Sequence, residues 1–180
     1  PGDQYLPNTW IRTLFVAPDG TLWIGTLSGL ASWKEGTLRQ YPELAEHSVN
    51  TLLSDRQGTV WAGGYLSGVG RAGLGAATLC TIKNSTPQCE GSDFGRWVGT
   101  LYEDKGGSLW ATSEAGLWRV GPGGREHQQM SAPVISSSQA LNEANDGGLL
   151  IAAEDGVRQL VQGKANAYPL PGARSAREDG

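Results

Sequence analysis

The sequence predicts an all-β repeat protein, and three observations carry that prediction. One frame recurs four times: IRTLFVAPDGTLWIGTLSGL from Ile11 to Leu30, VNTLLSDRQGTVWAGGYLSGV from Val49 to Val69, VGTLYEDKGGSLWATSEAGL from Val98 to Leu117, and SQALNEANDGGLLIAAEDGV from Ser138 to Val157. Its anchors Trp23, Trp61, Trp110 and Leu150 lie 38, 49 and 40 residues apart, close to the period of small four-stranded sheets arrayed around an axis. The composition of 27 Gly and 7 Trp beside 2 Phe and 1 Met fits many tight turns and one aromatic reused at equivalent places.

Within a unit, Ile11 to Val16 is β-branched and aromatic-rich, Pro18-Asp19-Gly20 reverses the chain, and Thr21 to Thr26 resumes an extended run, which makes an antiparallel hairpin. Leu22 and Trp23 point to opposite faces because strand period is two, yet both are large and apolar, so both faces of the sheet require cover. Gly29-Leu30, Gly68-Val69, Gly116-Leu117 and Gly156-Val157 follow a turn that needs positive φ and open a third strand, Leu30 to Lys34 in the first unit. Glu35-Gly36 turns the chain again, and Thr37 to Tyr41 is a more polar fourth strand suited to an outer edge. Four strands per unit, stacked between neighbours, define β-propeller blades.

The blades are expected at about 9–41, 48–90, 96–130 and 133–169, with the start of a fifth at 173–180 and an extended second unit. Tyr5-Leu6-Pro7, Tyr41-Pro42-Glu43-Leu44 and Tyr168-Pro169-Leu170-Pro171 mark the links between them.

Several functions are disfavoured. The net charge of −4 without a Lys/Arg cluster gives no reason to expect nucleic acid or anionic lipid as a partner. No stretch approaches 18 apolar residues, so no membrane contact by this segment is expected, and the N-terminus has no signal-peptide pattern. No nucleophile elbow, P-loop or dinucleotide fingerprint occurs, and Gly68 to Gly75 reads as a hairpin. No catalytic residue, cofactor or metal is therefore assigned. Asp19, Asp55, Asp104 and Asp146 each fall in the first turn of a unit and are expected to bond nearby backbone. His47 and His127 have no metal-ligand spacing around them.

Cys80 and Cys89 flank the turn-like Asn84-Ser85-Thr86-Pro87, so their arms can lie side by side and a disulfide can form in an oxidising compartment; two unrelated thiols in an irregular loop would suit a cytosolic chain.

The repeats resemble the two-component regulator propeller family, whose pattern runs Asp-x-x-Gly-x-Leu-Trp-x-Gly-Thr-x-x-Gly-Leu. Gly20, Leu22, Trp23, Gly25, Thr26, Gly29 and Leu30 match in the first unit, Asp55, Gly58, Trp61 and Gly63 in the second, and Asp104, Gly107, Leu109, Trp110, Gly116 and Leu117 in the third. Ala17 and Ala144 replace the leading Asp, Thr112 and Ala152 the Gly after the Trp, and Leu150 the Trp itself. The resemblance implies an arc of a larger ring of about seven blades, serving as the ligand-sensing segment of a bacterial receptor such as a hybrid histidine kinase or diguanylate cyclase. It implies a periplasmic or extracytoplasmic place in a membrane-anchored protein, a small-molecule or oligosaccharide ligand, and a homodimer. The remaining blades and a C-terminal output module would be its partners. Alternatives are a lyase or hydrolase of the streptogramin-lyase type and a protein-binding scaffold.

With strands A to D running outward, the B-to-C turns and the D-to-A links emerge on one face around the central channel. Tyr65, Glu114 and Glu154 from the former, with Trp10, His47, Arg96 and Trp97 from the latter, are the expected ligand contacts.

Overall fold

The computed structural model describes residues 5–66, 75–90, 94–121, 124–128, 140–153 and 156–170. They form four antiparallel sheets of four strands each. The first contains β1 (Ile11–Val16), β2 (Leu22–Thr26), β3 (Gly29–Lys34) and β4 (Thr37–Gln40). A single 3-10 turn, Pro42–Leu44, leads to the second: β5 (His47–Ser54), β6 (Val60–Leu66), β7 (Ala77–Lys83) and β8 (Thr86–Glu90). The third has β9 (Val98–Glu103), β10 (Leu109–Ser113), β11 (Gly116–Gly121) and β12 (Gly124–Gln128), and the fourth β13 (Leu141–Glu143), β14 (Leu149–Ala153), β15 (Gly156–Val161) and β16 (Lys164–Ala167). The fifth unit expected at 173–180 and the segments 67–74 and 129–139 lie outside the described residues.

In every sheet each strand pairs with its sequence neighbour, the order of a propeller blade. The outer turns are tight and left-handed: Glu35 and Gly36 take φ of 49° and 80°, and Asn84 and Ser85 take 49° and 64°. Such paired positive φ values match the twist of the strands they join.

Apolar side chains are buried at each of the three interfaces between successive blades. Trp23, Leu30, Tyr41 and Leu44 of the first blade and its link meet Val49, Val60, Ala62, Cys80 and Ile82 of the second. Trp61, Leu79 and Ala77 meet Val98, Leu101, Leu109 and Trp118 across the next interface, and Trp110 and Leu117 meet Leu149, Ile151 and Leu160 across the third. The repeated tryptophans thus pack toward the following blade. Trp23 also stacks on Tyr41 from the link, with centroids 5.4 Å apart.

Leu52, Leu101 and Leu141 are equivalent positions in their frames, and each packs toward the preceding blade. Their counterpart Leu14 is 62% exposed, and Ile11, Val16 and Trp33 share that open face of the first blade. The four blades succeed one another as an arc with an apolar leading face.

Candidate ligand-binding site at the channel

The innermost strands β1, β5 and β9 carry the same irregularity. Register slips between Ile11 and Thr13 in β1, between Val49 and Thr51 in β5, and between Val98 and Thr100 in β9. Arg12, Asn50 and Gly99 are therefore the extra residues of three β-bulges at one frame position. A bulge re-aims a side chain out of the strand alternation. All three line one cavity of about 400 Å³ together with Trp97.

This wall is built from below. The Ser48 hydroxyl donates to Asn50 Oδ1 at 3.3 Å, and Asn50 Nδ2 donates to the Val98 carbonyl at 3.3 Å, so the carboxamide bridges the second and third blades. Gly99 makes room for an indole: a Cβ there would come within 2.7 Å of Trp97 Cζ3. A guanidinium, a carboxamide and an aromatic face around an open cavity suit a polar ligand that can accept hydrogen bonds and cover the indole.

The predicted residues fall into groups around this wall. The Leu27 amide donates to the Trp10 carbonyl at 2.9 Å and the Glu114 amide to the Trp97 carbonyl at 3.3 Å, so B-to-C turns and D-to-A links do lie side by side. Trp10 is 69% exposed. Arg96 pairs through its guanidinium with Glu114, and its amide donates to Glu114 Oε2 at 2.9 Å. The hydrogen bond from Arg96 holds the Glu114 carboxyl below its ordinary pKa, and the same bond raises Arg96. Tyr65 is half-buried on β6 between Ser48 and Ala77. Glu154 lies outside the described residues. Of the six that are described, Trp97 alone lines the cavity described above; Arg12, Asn50 and Gly99 join it without having been expected.

His47 turns elsewhere. Cys80 and Cys89 are directly paired across β7 and β8 and joined by a disulfide, with an S–S distance of 2.14 Å. The ligating atoms of His47 and both cysteines lie within 4.8 Å of one another. Sulfurs bonded to each other are not thiolates, so in this redox state the trio is no metal centre. His47 Nδ1 is buried with no hydrogen-bond partner.

Burial lowers the His47 pKa from 6.5, partly opposed by the charge of Glu46. Because the folded pKa lies below the unfolded one, the stability contributed by neutral His47 is present above about pH 6.5 and is lost as pH falls through the folded value. The urea midpoint of the chain should accordingly drop between about pH 7 and pH 5, and His47→Gln should flatten that decline. An equal decline in the variant would assign it to another group.

The four turn aspartates bond backbone as expected: Asp19 accepts from the Thr21 amide, Asp55 from Gln57 and Thr59, Asp104 from Ser108, and Asp146 from Gly148. Two of them also accept from an indole. Asp55 Oδ2 accepts from Trp61 Nε1 and Asp104 Oδ2 from Trp110 Nε1, both at 2.8 Å, tying each turn to the interface tryptophan six residues on.

The fold and the channel wall define a β-propeller segment with a polar cavity at its axis. Its first repeat is of a recognised type: residues 5–28 match the two component regulator propeller family. No curated protein matches the chain. Among solved structures, the chain is similar to the extracellular domain of a protein described as a hybrid two component system from B. thetaiotaomicron, at 19% identity over 90% of this chain and 22% of that one, with a TM-score of 0.67. A second extracellular domain, of a protein from the same organism described as a one component system, gives 20%, 87%, 22% and 0.65. A catalytically inactive virginiamycin B lyase from Staphylococcus aureus, solved with quinupristin, gives 16%, 92%, 58% and 0.69. At such identities the likeness is one of fold. The chain spans about a fifth of the two extracellular domains and less than two thirds of the lyase. Among the described residues no helix is long and apolar enough to cross a membrane.

Proposed function

We propose that this arc is the ligand-sensing part of a bacterial signal-transduction receptor and performs no chemistry itself. The observation that carries the reading is the cavity at the axis, where three bulges bring Arg12, Asn50 and Gly99 to one wall beside Trp97. A bulge repeated in frame places variable residues on a constant scaffold, which suits recognition. The first-repeat match and the likeness to extracellular domains of one- and two-component systems support an extracytoplasmic place. Further blades on the apolar leading face, an output module and a second copy would complete the receptor. Signal would pass if the ligand favoured one arrangement of these parts over another.

Lyase chemistry would need a base and an acid meeting at the channel mouth. His47 lies against the disulfide and Glu114 is held by Arg96, so the described residues favour recognition over proton transfer.

A thermal-shift screen of mono- and oligosaccharides and small organic acids, followed by calorimetric titration, tests the proposal. Arg12→Ala and Trp97→Ala should each weaken the selected compound at least about tenfold, a loss of about 1.4 kcal/mol, without changing the unfolding midpoint. Unchanged affinity in both variants, or no bound compound in the whole library, would refute it.

A further inference from the structure

The A-to-B turns share a backbone but differ in one side chain. Asp55 N donates to the Thr59 carbonyl at 3.0 Å and Gly58 N to the Asp55 carbonyl at 2.9 Å; Asp104 with Ser108 and Gly107 repeats the pattern. In the first blade Ala17 N donates to Thr21 and Gly20 N to Ala17, both at 2.9 Å, so the turn is retained. Trp23 is retained as well. The carboxylate that should accept from its indole is missing, because Ala17 stands where Asp55 and Asp104 stand in the next two blades.

Asp19, two residues on, takes over the turn but leaves the indole alone. It accepts from the Thr21 amide at 3.0 Å, the Thr21 hydroxyl at 2.9 Å and Lys34 at 2.7 Å. The fourth blade makes the same exchange, with Ala144 and with Asp146 on the Gly148 amide, but the Leu150 side chain there has no N–H to leave unpaired. Trp23 is 8% exposed, and its Nε1 is buried without a partner. The Trp23 side chain is part of the lining of a cavity of about 300 Å³ between the first two blades, with Ala17, Asp19, Val60, Asn84 and Ser85. This cavity lies among the A-to-B and C-to-D turns, on the opposite face from the B-to-C turns that flank the channel mouth.

We propose that this cavity is a second site, for a small carboxylate-bearing ligand whose carboxylate takes the place in the first blade that the Asp55 and Asp104 side chains take in the second and third. The sister blades define the position, 2.8 Å from an indole nitrogen. Ala17 keeps the Cβ but lacks the carboxyl group that Asp carries on it, so a ligand carboxylate restores that group when the rest of the ligand points away from the Ala17 methyl. The Asn84 amide and Ser85 hydroxyl across the cavity can donate to the second oxygen, while Val60 and the indole receive an apolar remainder. Asp19 does not repel such a ligand strongly, since Lys34 balances its charge at 2.7 Å.

The test follows the indole N–H signals of the ¹⁵N-labelled chain, with Trp23 assigned through Trp23→Phe. Sodium acetate and propionate are titrated at fixed pH against sodium chloride of equal ionic strength and against methyl glucoside. The Trp23 signal should move downfield and saturate with the carboxylates, and Arg12→Ala should leave that response intact, which separates this site from the channel. Ala17→Asp should abolish the response, shift the Trp23 signal toward those of Trp61 and Trp110, and raise the melting temperature. Ala17→Leu, which fills the space without an acceptor, should abolish it too. A response no different from chloride would mean that water alone meets the indole, and saturation by methyl glucoside alone would mean a neutral hydroxyl ligand. Either result, or an Ala17→Asp variant that still responds, would overturn the proposal.

Discussion

Trp110→Ala is expected to destabilise the chain by about 3–5 kcal/mol, the range for deleting a buried aromatic from a packed core. The indole is 7% exposed and holds the third interface together, in one cluster with Leu117, Leu149, Ile151 and Leu160. Its outer edge is used as well: Arg119 lies 5.6 Å above the ring and Asp104 takes the N–H. Trp110→Leu should cost less, because the same frame position is occupied by Leu150 in the fourth blade and leucine refills part of the volume. Urea unfolding followed by circular dichroism measures both. A loss under about 1 kcal/mol for the alanine variant would mean that the interface does not depend on this side chain.

Asp104→Ala is the second large effect, expected at about 2–3 kcal/mol, because it strips the acceptor from two donors at once. The Ser108 amide at 2.9 Å and the Trp110 indole at 2.8 Å would both lose their partner. Asp104→Asn keeps one acceptor oxygen and should lose less than the alanine variant. Since the carboxylate acts on the turn and on the tryptophan together, Asp104→Ala and Trp110→Leu should be less than additive in a double-mutant cycle. Strict additivity would separate turn from interface and contradict the role assigned to the bond between them.

What could be read in the sequence was what local pattern dictates. β1 spans Ile11–Val16 and β2 Leu22–Thr26 because an alternating apolar run, a Pro-Asp-Gly turn and a second run leave few other options. The interface role of Trp23 and Trp110 follows from the same alternation, since both faces of each hairpin carry large apolar groups. The bulges escaped that reading because period-two alternation assumes an unbroken ladder. Arg12, Asn50 and Gly99 nevertheless left a signal: one polar or glycine position, in frame, between a β-branched apolar residue and a threonine in all three strands.

Long-range placement was not legible. His47 was expected at the channel mouth because it follows a link, yet burial against β7 and β8 depends on how Tyr41 to Leu44 folds into the interface. Arg96 and Glu114 were read as separate ligand contacts, and nothing local shows that a link residue and a turn residue eighteen positions apart will pair. The unpaired indole of Trp23 was equally hidden. The replacement of Asp by Ala17 was visible, but its consequence appears only beside Asp55 and Asp104 in three dimensions.

In the proposed receptor the bulged inner strands form the ligand-binding wall. A crystal structure of the chain with the tightest compound from the screen tests it most directly. The compound is expected in the cavity at the axis, hydrogen-bonded to Arg12 and Asn50 and lying on the Trp97 ring. A compound seated instead on the open face of Leu14, Val16 and Trp33, with the wall of Arg12, Asn50 and Trp97 untouched, would contradict it.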